Sequence, residues 1–378
     1  MQLTHAALAA CVLGLVAPGV TRAQGDPPAG EWQADVEIRG NYYLERSTRV
    51  VAPEAALEVR TPQGVRLQAG YLVDTITSAS LGAGAVTDNR FTEIRHDVTA
   101  GGAYEFDLGD QQLDLSVTGR YGYEPDYTST GASAAARMSM NDRATVLSLG
   151  ATYIHDVVGK KLRGADRTAA GRDLSDRGTQ GTLDAFMLNA GFEQALSPQL
   201  TVAVGYDLGL LYGYQHNPYR GVGARDEQHP DRRGRHNAHA RLAYYFPETG
   251  TALHAIYRAY LDTWDIGALT PEARVYQELG DLLMLRLRYR YYTQTRAFFQ
   301  RPDGNYLDGD EHITADPKMS EFHSHLLGTM LLLHLEFLER TPLDFAWQST
   351  LEFTFEYLWN TSASGNAVLA QAALRVPF

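Results

Sequence analysis

Three features of the sequence predict a closed antiparallel β-barrel that crosses a membrane, with about 16 strands. Apolar and polar residues alternate with period two over long stretches. Tight turns alternate along the chain with longer polar loops. An apolar segment stands at the N-terminus, and the last alternating run ends on an aromatic residue, Phe378. Side chains alternate across a strand, so period two means one apolar face and one polar face. Bacterial outer-membrane barrels combine an even strand count with short periplasmic turns and longer extracellular loops.

From the N-terminus, residues 6–18 are apolar, and Thr21-Arg22-Ala23 precedes the polar Gln24-Gly25-Asp26. This pattern predicts a secretory signal over 1–23, a flexible lead-in over 24–31 and one barrel domain over 32–378. A membrane anchor is the alternative, but the run is too short to span about 30 Å of hydrocarbon. Leu8-Ala9-Ala10-Cys11 matches a lipoprotein cleavage box, at a position where no apolar segment precedes it. Removal of the signal takes Cys11 with it and leaves a chain without disulfides or thiolate chemistry.

The strands follow. Val65, Leu67, Ala69, Tyr71 and Val73 alternate with polar residues and glycine. Leu113, Leu115, Val117, Tyr121 and Tyr123 alternate with Asp114, Ser116, Thr118, Arg120 and Glu124. Leu200 to Tyr214 gives another apolar face at every second position. In 283–292, Leu283, Leu285, Leu287, Tyr289 and Tyr291 alternate with Met284, Arg286, Arg288 and Arg290. Three arginines on one face suit a watery lumen and do not suit a dry sandwich core. The stretch 343–357 predicts a long strand with odd-numbered apolar residues outward, broken only by Ser349. Ala370, Ala372, Leu374, Val376 and Phe378 complete the last strand; Phe378 is read as the signal recognised by the barrel assembly machinery.

Tight turns fit at 61–64, 108–111, 141–143, 196–199, 247–250 and 280–281, with a longer one at 336–342. Loops fit near 46–48, 77–89, 124–130, 159–180, 215–235, 262–266, 297–318 and 360–365. Counting through these breaks gives 16 strands with both termini on the turn side; the alternation is weakest around 262–280. Tyr and Trp near strand ends, such as Tyr42, Tyr214, Tyr291 and Trp359, fit aromatic girdles at two membrane interfaces. A large periplasmic β-sandwich is the alternative, and it predicts shorter strands.

Composition agrees. Mean hydropathy is −0.29, which excludes a bundle of transmembrane helices. At 44% hydrophobic residues the chain is not disordered. The net charge of −12 argues against nucleic acid as a partner.

The stretches NYYLERSTRVVAPEAAL (41–57), YLVDTITSASLGAG (71–84), RFTEIRHDV (90–98), YEFDLGDQQLDL (104–115) and SMNDRATVLSLGATYIHDVVG (139–159) resemble a bacterial outer-membrane family filed as domain-of-unknown-function 3570. With Phe378 the resemblance covers nearly all of the chain after the signal. It implies a surface barrel with no established activity. It also implies a genetic neighbourhood of periplasmic thioredoxin-like proteins and flavin transferases, hence a redox or metal-related envelope process that assigns no residue a role.

Four candidate sites emerge. The first is the lumen, where Arg286, Arg288 and Arg290 form a cationic ladder facing carboxylates such as Glu352 and Glu356. Such rows impose charge selectivity on an open pore, or pair across the lumen and brace the wall. The second is the acidic loop 303–311, where Asp303, Asn305, Asp308 and Asp310 offer oxygen ligands for Ca²⁺ without the spacing of an EF-hand; a solvated turn is the plain alternative. The third is histidine: His323 with His325, and His216, His229, His236 and His239 around one loop, as Zn²⁺ or Cu²⁺ ligands. The fourth is a surface hydrolase built on Ser320, His323 and Ser324, although no Gly-x-Ser-x-Gly elbow is present.

The leading function is a porin-like channel for small polar or charged solutes. The alternative is a scaffold or partner of a periplasmic redox or metal-handling system; a surface enzyme or adhesin comes third. No cofactor is expected. The expected partners are outer-membrane lipid, the assembly machinery and, on the second reading, a periplasmic protein.

Overall fold

The computed structural model describes residues 30–46, 48–78, 91–159, 179–217, 220–223 and 225–378. The expected signal with Cys11, and residues 24–29 of the lead-in, lie outside them. So does most of the loops expected at 77–89 and 159–180.

Along the chain come β1 (Gln33–Glu45), β2 (Thr48–Arg60), β3 (Val65–Ser78), β4 (Phe91–Asp107), β5 (Gln111–Glu124), β6 (Tyr127–Met140), β7 (Thr145–Gly159), β8 (Thr179–Ala195) and β9 (Leu200–Gly213). A small separate hairpin follows, β10 (Gly221–Val222) with β11 (Arg225–Asp226). Then come β12 (Arg232–Phe246), β13 (Thr251–Asp262), β14 (Gly267–Leu279), β15 (Leu283–Gln294), β16 (Phe322–His334), β17 (Thr350–Asn360) and β18 (Ala367–Pro377). Among the described residues, sixteen of these strands form one closed antiparallel barrel, each paired with its neighbours in the chain.

β1 and β18 close the ring in register from Asp35↔Pro377 to Glu45↔Ala367. Phe378 seals the lower end of that seam: its amide donates to the Ala34 carbonyl at 2.7 Å and its carbonyl accepts from the Ala34 amide at 3.0 Å. Closure matters because an open edge would present a row of unpaired N–H and C=O groups.

The exterior is the apolar face. Leu149, Val117, Leu188, Val204, Phe355 and Leu327 are all among its exposed side chains. The interior carries the charges, so this fold has no single apolar core.

The turn side follows expectation over most of its length. At 61–64 the Thr61 amide donates to Val65, and Gly64 sits at a φ of +83°, which favours glycine. At 141–143 the turn uses Asn141, Asp142 and Arg143, all with positive φ.

Two expectations need correction, and a third feature finds its cause. Residues 343–349 are not strand: β17 begins at Thr350, and the segment before it holds two short 3-10 turns, Glu336–Leu338 and Asp344–Ala346. The backbone there bonds locally, as Trp347 donating to Asp344 shows, so the alternation of Leu343, Phe345 and Trp347 is carried by turns. From 350 to 360 the odd-numbered side chains do face outward. Residues 124–130 are not a loop: only Pro125 and Asp126 separate β5 from β6. The weak alternation near 262–280 has a cause in Pro271, which lacks an N–H; pairing of β14 to β15 is interrupted there. Pro53 interrupts β2–β3 pairing in the same way.

Candidate functional site

The inward face of β12–β15 is a cationic wall. It carries eight arginines (Arg233, Arg235, Arg241, Arg258, Arg274, Arg286, Arg288 and Arg290) against three carboxylates, Asp262, Glu272 and Glu278. On β1–β7 the balance reverses, and among described inward residues carboxylates outnumber arginines two to one.

The structure places Arg286, Arg288 and Arg290 inward on β15, with Leu287 49% and Tyr289 47% exposed on the other face. The three are not equivalent. Arg288 grips Glu272 with two bonds of 3.0 Å each and reaches Glu356 at 2.8 Å. That reach crosses β16 at Gly328, where a Cβ would come within 2.8 Å of the Glu356 side chain. Glycine is needed there so that a carboxylate from β17 can lie over the intervening strand. Glu272 also accepts from Arg274 at 2.5 Å, and its own side chain is almost fully buried. Arg286 is 3.8 Å from Glu356. Arg290 makes no ion pair with any described residue, and its Nε has no hydrogen-bond partner. Glu352 accepts from Thr354 at 3.2 Å and stands on β17, two strands from β15 and outside the Arg288 clamp.

The same division runs along the rest of the wall. Arg233 is clamped by Asp262 and Arg241 by Glu193, each at 2.5 Å. Arg235 and Arg258 have no ion-pair partner among the described residues. Register sets them in a stagger with Arg290. Arg258 lies two strands and one inward step from Arg290, and Arg235 one further strand and two steps on. Strand geometry makes these separations roughly 12 and 14 Å. Sequence reading found the β15 ladder but missed Glu272, Arg258 and Arg235. The alternation of lone charges along β12–β14 was the available signal.

Above this wall, the loops after β9 and β15 fold together as a cap. Gln228 and Ile313 bridge them through backbone bonds. Glu227 accepts from Thr314 at 2.6 Å and from the Ala315 amide at 3.0 Å, and His229 Nε2 meets the Thr314 hydroxyl at 3.0 Å. Arg220 pairs with buried Asp316 at 2.5 Å. Trp264 and Phe299 pack on His229, and Arg233 stacks 4.1 Å from the Trp264 ring, so the cap rests on the inward face of β12. His216 Nδ1 accepts the His229 amide at 2.5 Å. Burial, with His229 nearby, pulls His216 down to about 4. Burial acts to raise Glu227, but bonds from His229 and Thr314 outweigh it and hold the carboxyl at about 2.

The acidic loop does not assemble as a ligand set. Asp303 accepts from the Asn305 amide and side chain at 3.1 Å, and Asp310 accepts from Arg301 at 2.8 Å and from the Leu307 amide at 2.7 Å. Asp308 joins neither. Among the described residues no group of three His, Cys, Asp or Glu is placed to share a metal ion. The histidines are also dispersed: His239 faces inward, His236, His323 and His325 face outward, and His216 and His229 lie in the cap. His323 and Ser324 point to opposite faces of β16, and the Ser320 hydroxyl is spent on the Pro317 carbonyl at 2.6 Å.

A closed sixteen-strand antiparallel barrel with a charged interior and an apolar exterior is the architecture of outer-membrane porins. The chain belongs to the family described as protein of unknown function DUF3570, matched over residues 82–357. No curated protein matches it in sequence. Among solved structures, a bacterial polysaccharide outer-membrane secretin is similar at 9% identity and a TM-score of 0.51, over 93% of this chain and 100% of that one. OprD of Pseudomonas aeruginosa matches at 10% identity and 0.45, over 94% and 97%. A BenF-like porin from Pseudomonas fluorescens Pf-5 matches at 10% and 0.44, over 92% and 98%.

Proposed function

We propose that the protein is an outer-membrane channel that passes small anionic solutes along Arg235, Arg258 and Arg290. One observation carries this reading: on a wall where Arg233, Arg241, Arg274 and Arg288 are clamped by carboxylates, these three guanidinium groups make no ion pair with a described residue. A clamped arginine braces the barrel. An unclamped one offers its donors to whatever enters, and its charge persists at any ordinary pH. Facing an acidic wall, the stagger creates a field across the lumen that orients and sorts ions. The cap narrows the mouth above the cationic wall and sets which solutes reach Arg235 first. The apolar exterior supports the outer-membrane location, since charges on that face would cost roughly 2–4 kcal/mol each at the midplane.

The test is reversal potential in planar bilayers under a salt gradient. Wild type should favour anions, and the triple variant R235Q/R258Q/R290Q should shift towards cations. Absence of any channel from folded protein would remove this reading in favour of a scaffold. Unchanged selectivity in the triple variant would mean that the pore does not pass the stagger.

A further inference from the structure

On the outward face, one arrangement recurs three times. Tyr71 meets His96, Tyr206 meets His236 and Tyr289 meets His325, each phenol oxygen lying 2.8, 2.6 and 2.8 Å from the ring Nδ1. The ring centroids are 6.1, 6.2 and 6.1 Å apart. The offset is the same each time. The tyrosine stands mid-strand, and the histidine stands on the next barrel strand, two residues towards the loops from the tyrosine's direct partner, Val98, Ala238 or Leu327. The three hairpins involved are among those whose loops are long, spanning 79–90, 214–231 and 295–321. His155 occupies the equivalent place before the fourth long loop. Its partner there is a carboxylate, Asp184, so it stands apart from the other three.

A phenol that donates to Nδ1 fixes the ring tautomer and leaves an Nε2–H donor. With the phenols as donors, three such Nε2–H groups ring the loop end of the exterior. Two outward arginines, Arg49 and Arg232, stand at the same end. The turn-side half of the exterior has no counterpart: its described strand residues include no Asp, Glu, Lys, Arg or His. The asymmetry points to a ligand present on one side of the membrane only. That ligand must accept hydrogen bonds and carry negative charge at headgroup depth.

We propose that His96, His236 and His325 form a girdle that binds the phosphate groups of lipid in the outer leaflet. The proposal rests on the outer-membrane reading above. Phosphate oxygens accept from the three Nε2–H groups, and Arg49 and Arg232 add charge. The phenols act as positioning groups, because they set which ring nitrogen is free.

The test uses folded protein in neutral detergent and native mass spectrometry. The probes are an acylated glucosamine-disaccharide lipid bearing two phosphates, its dephosphorylated form, and inorganic phosphate alone. Wild type should retain the phosphorylated lipid about tenfold better than the dephosphorylated one, on the scale of a few charge-assisted bonds. H96F/H236F/H325F should lose that preference and still bind both lipids through the apolar face. Y71F/Y206F/Y289F, which keeps the rings but frees their tautomers, should lose part of it. The second set also decides the matter if the first does not fold. Equal retention of the two lipids by wild type overturns the proposal, as does a preference that survives both variants. Displacement of the lipid by equimolar inorganic phosphate also overturns it, since the site would then be one for free anion. A protein that forms no heat-modifiable barrel in lipid fails the outer-membrane reading instead, and gel mobility shows that separately.

Discussion

The two walls of the lumen use the same pairs and leave opposite remainders. On β1–β7, Arg39 is held by Glu37, Arg66 by Asp114, Arg95 by Asp74 and Arg120 by Asp97; Arg60 and Arg137 make no ion pair with a described residue, but neither do Glu54, Glu58, Glu105, Asp107, Glu124 and Asp156, so the remainder is acidic on balance. On β12–β15 eight arginines face three carboxylates, of which Glu278 meets only the Tyr245 hydroxyl. Glu272 serves two arginines, Asp262 serves Arg233, and Arg235, Arg258 and Arg290 remain. Paired charges at short range mostly cancel, so they hold a wall together and contribute little field to the lumen. The remainder sets the field. Counting charges along a strand therefore misleads about function unless the clamped ones are first set aside.

The comparison breaks most visibly at Glu272. Its replacement by Gln leaves Arg274 and Arg288 without their shared carboxylate in a site where that side chain is almost fully buried. Removing one partner of such a cluster costs about 3–5 kcal/mol. The urea midpoint of protein refolded into vesicles should fall accordingly. Asp97→Asn, which strips Arg120 on the other wall, should cost less, because the Asp97 side chain keeps more contact with water than that of Glu272 and serves one arginine instead of two. Equal losses at the two sites would mean that burial does not separate the walls.

Selectivity sharpens the comparison from the other side. R235Q/R258Q/R290Q and E54Q/E58Q/E124Q each change the lumen by three charges and touch no pair. They should move the reversal potential in opposite directions. The arginine set should also leave the unfolding midpoint unchanged or raise it, because an unpaired, desolvated charge is a cost to the fold. A lowered midpoint would mean that these arginines brace the wall after all.

Much of this was legible in the sequence, and what was not has specific causes. Strict alternation exposed β15, β17 and β18 because a barrel wall has one neighbour environment per face. It misled at 343–349, where Leu343, Phe345 and Trp347 keep period two without strand pairing. A side-chain pattern cannot report that the backbone bonds locally. Pro271 blurred the alternation of β14 without hiding the strand, since proline weakens a strand signal even where the barrel tolerates it at a pairing gap. The inward direction of Arg288 could be read from its apolar, outward-facing neighbours Leu287 and Tyr289. Its clamp could not, because Glu356 arrives from two strands away over Gly328, and such contacts depend on register. The cap was invisible for the same reason: Glu227 and Thr314 are far apart in the chain and meet only after the loops fold together.

The smallest predicted effect is in the cap, where pH should loosen the loops without touching the walls. His216 accepts the His229 amide through Nδ1, which it can do only while that nitrogen is unprotonated. The groups around it are Tyr214, Glu227, His229 and His312. Burial lowers His216 from 6.5 to about 4, so the folded cap resists a proton that the open loop accepts. Stability from this group is therefore full above 6.5 and falls as pH drops from 6.5 to about 4. Glu227 is depressed from 4.5 to about 2, so its contribution is full above 4.5 and disappears as pH falls through about 2. Both act in the same direction, and His216 acts first. Hydrogen exchange of the 214–231 backbone should speed up between pH 6.5 and 4, after correction for the intrinsic pH dependence, while β12–β15 stays protected. His216→Phe removes the titrating group along with its bond. It should make exchange faster at neutral pH but flat over that interval, with a further rise only where Glu227 protonates. A variant that keeps the wild-type profile would place the acid response elsewhere in the cap, and acceleration shared by β12–β15 would show that cap and wall unfold as one unit.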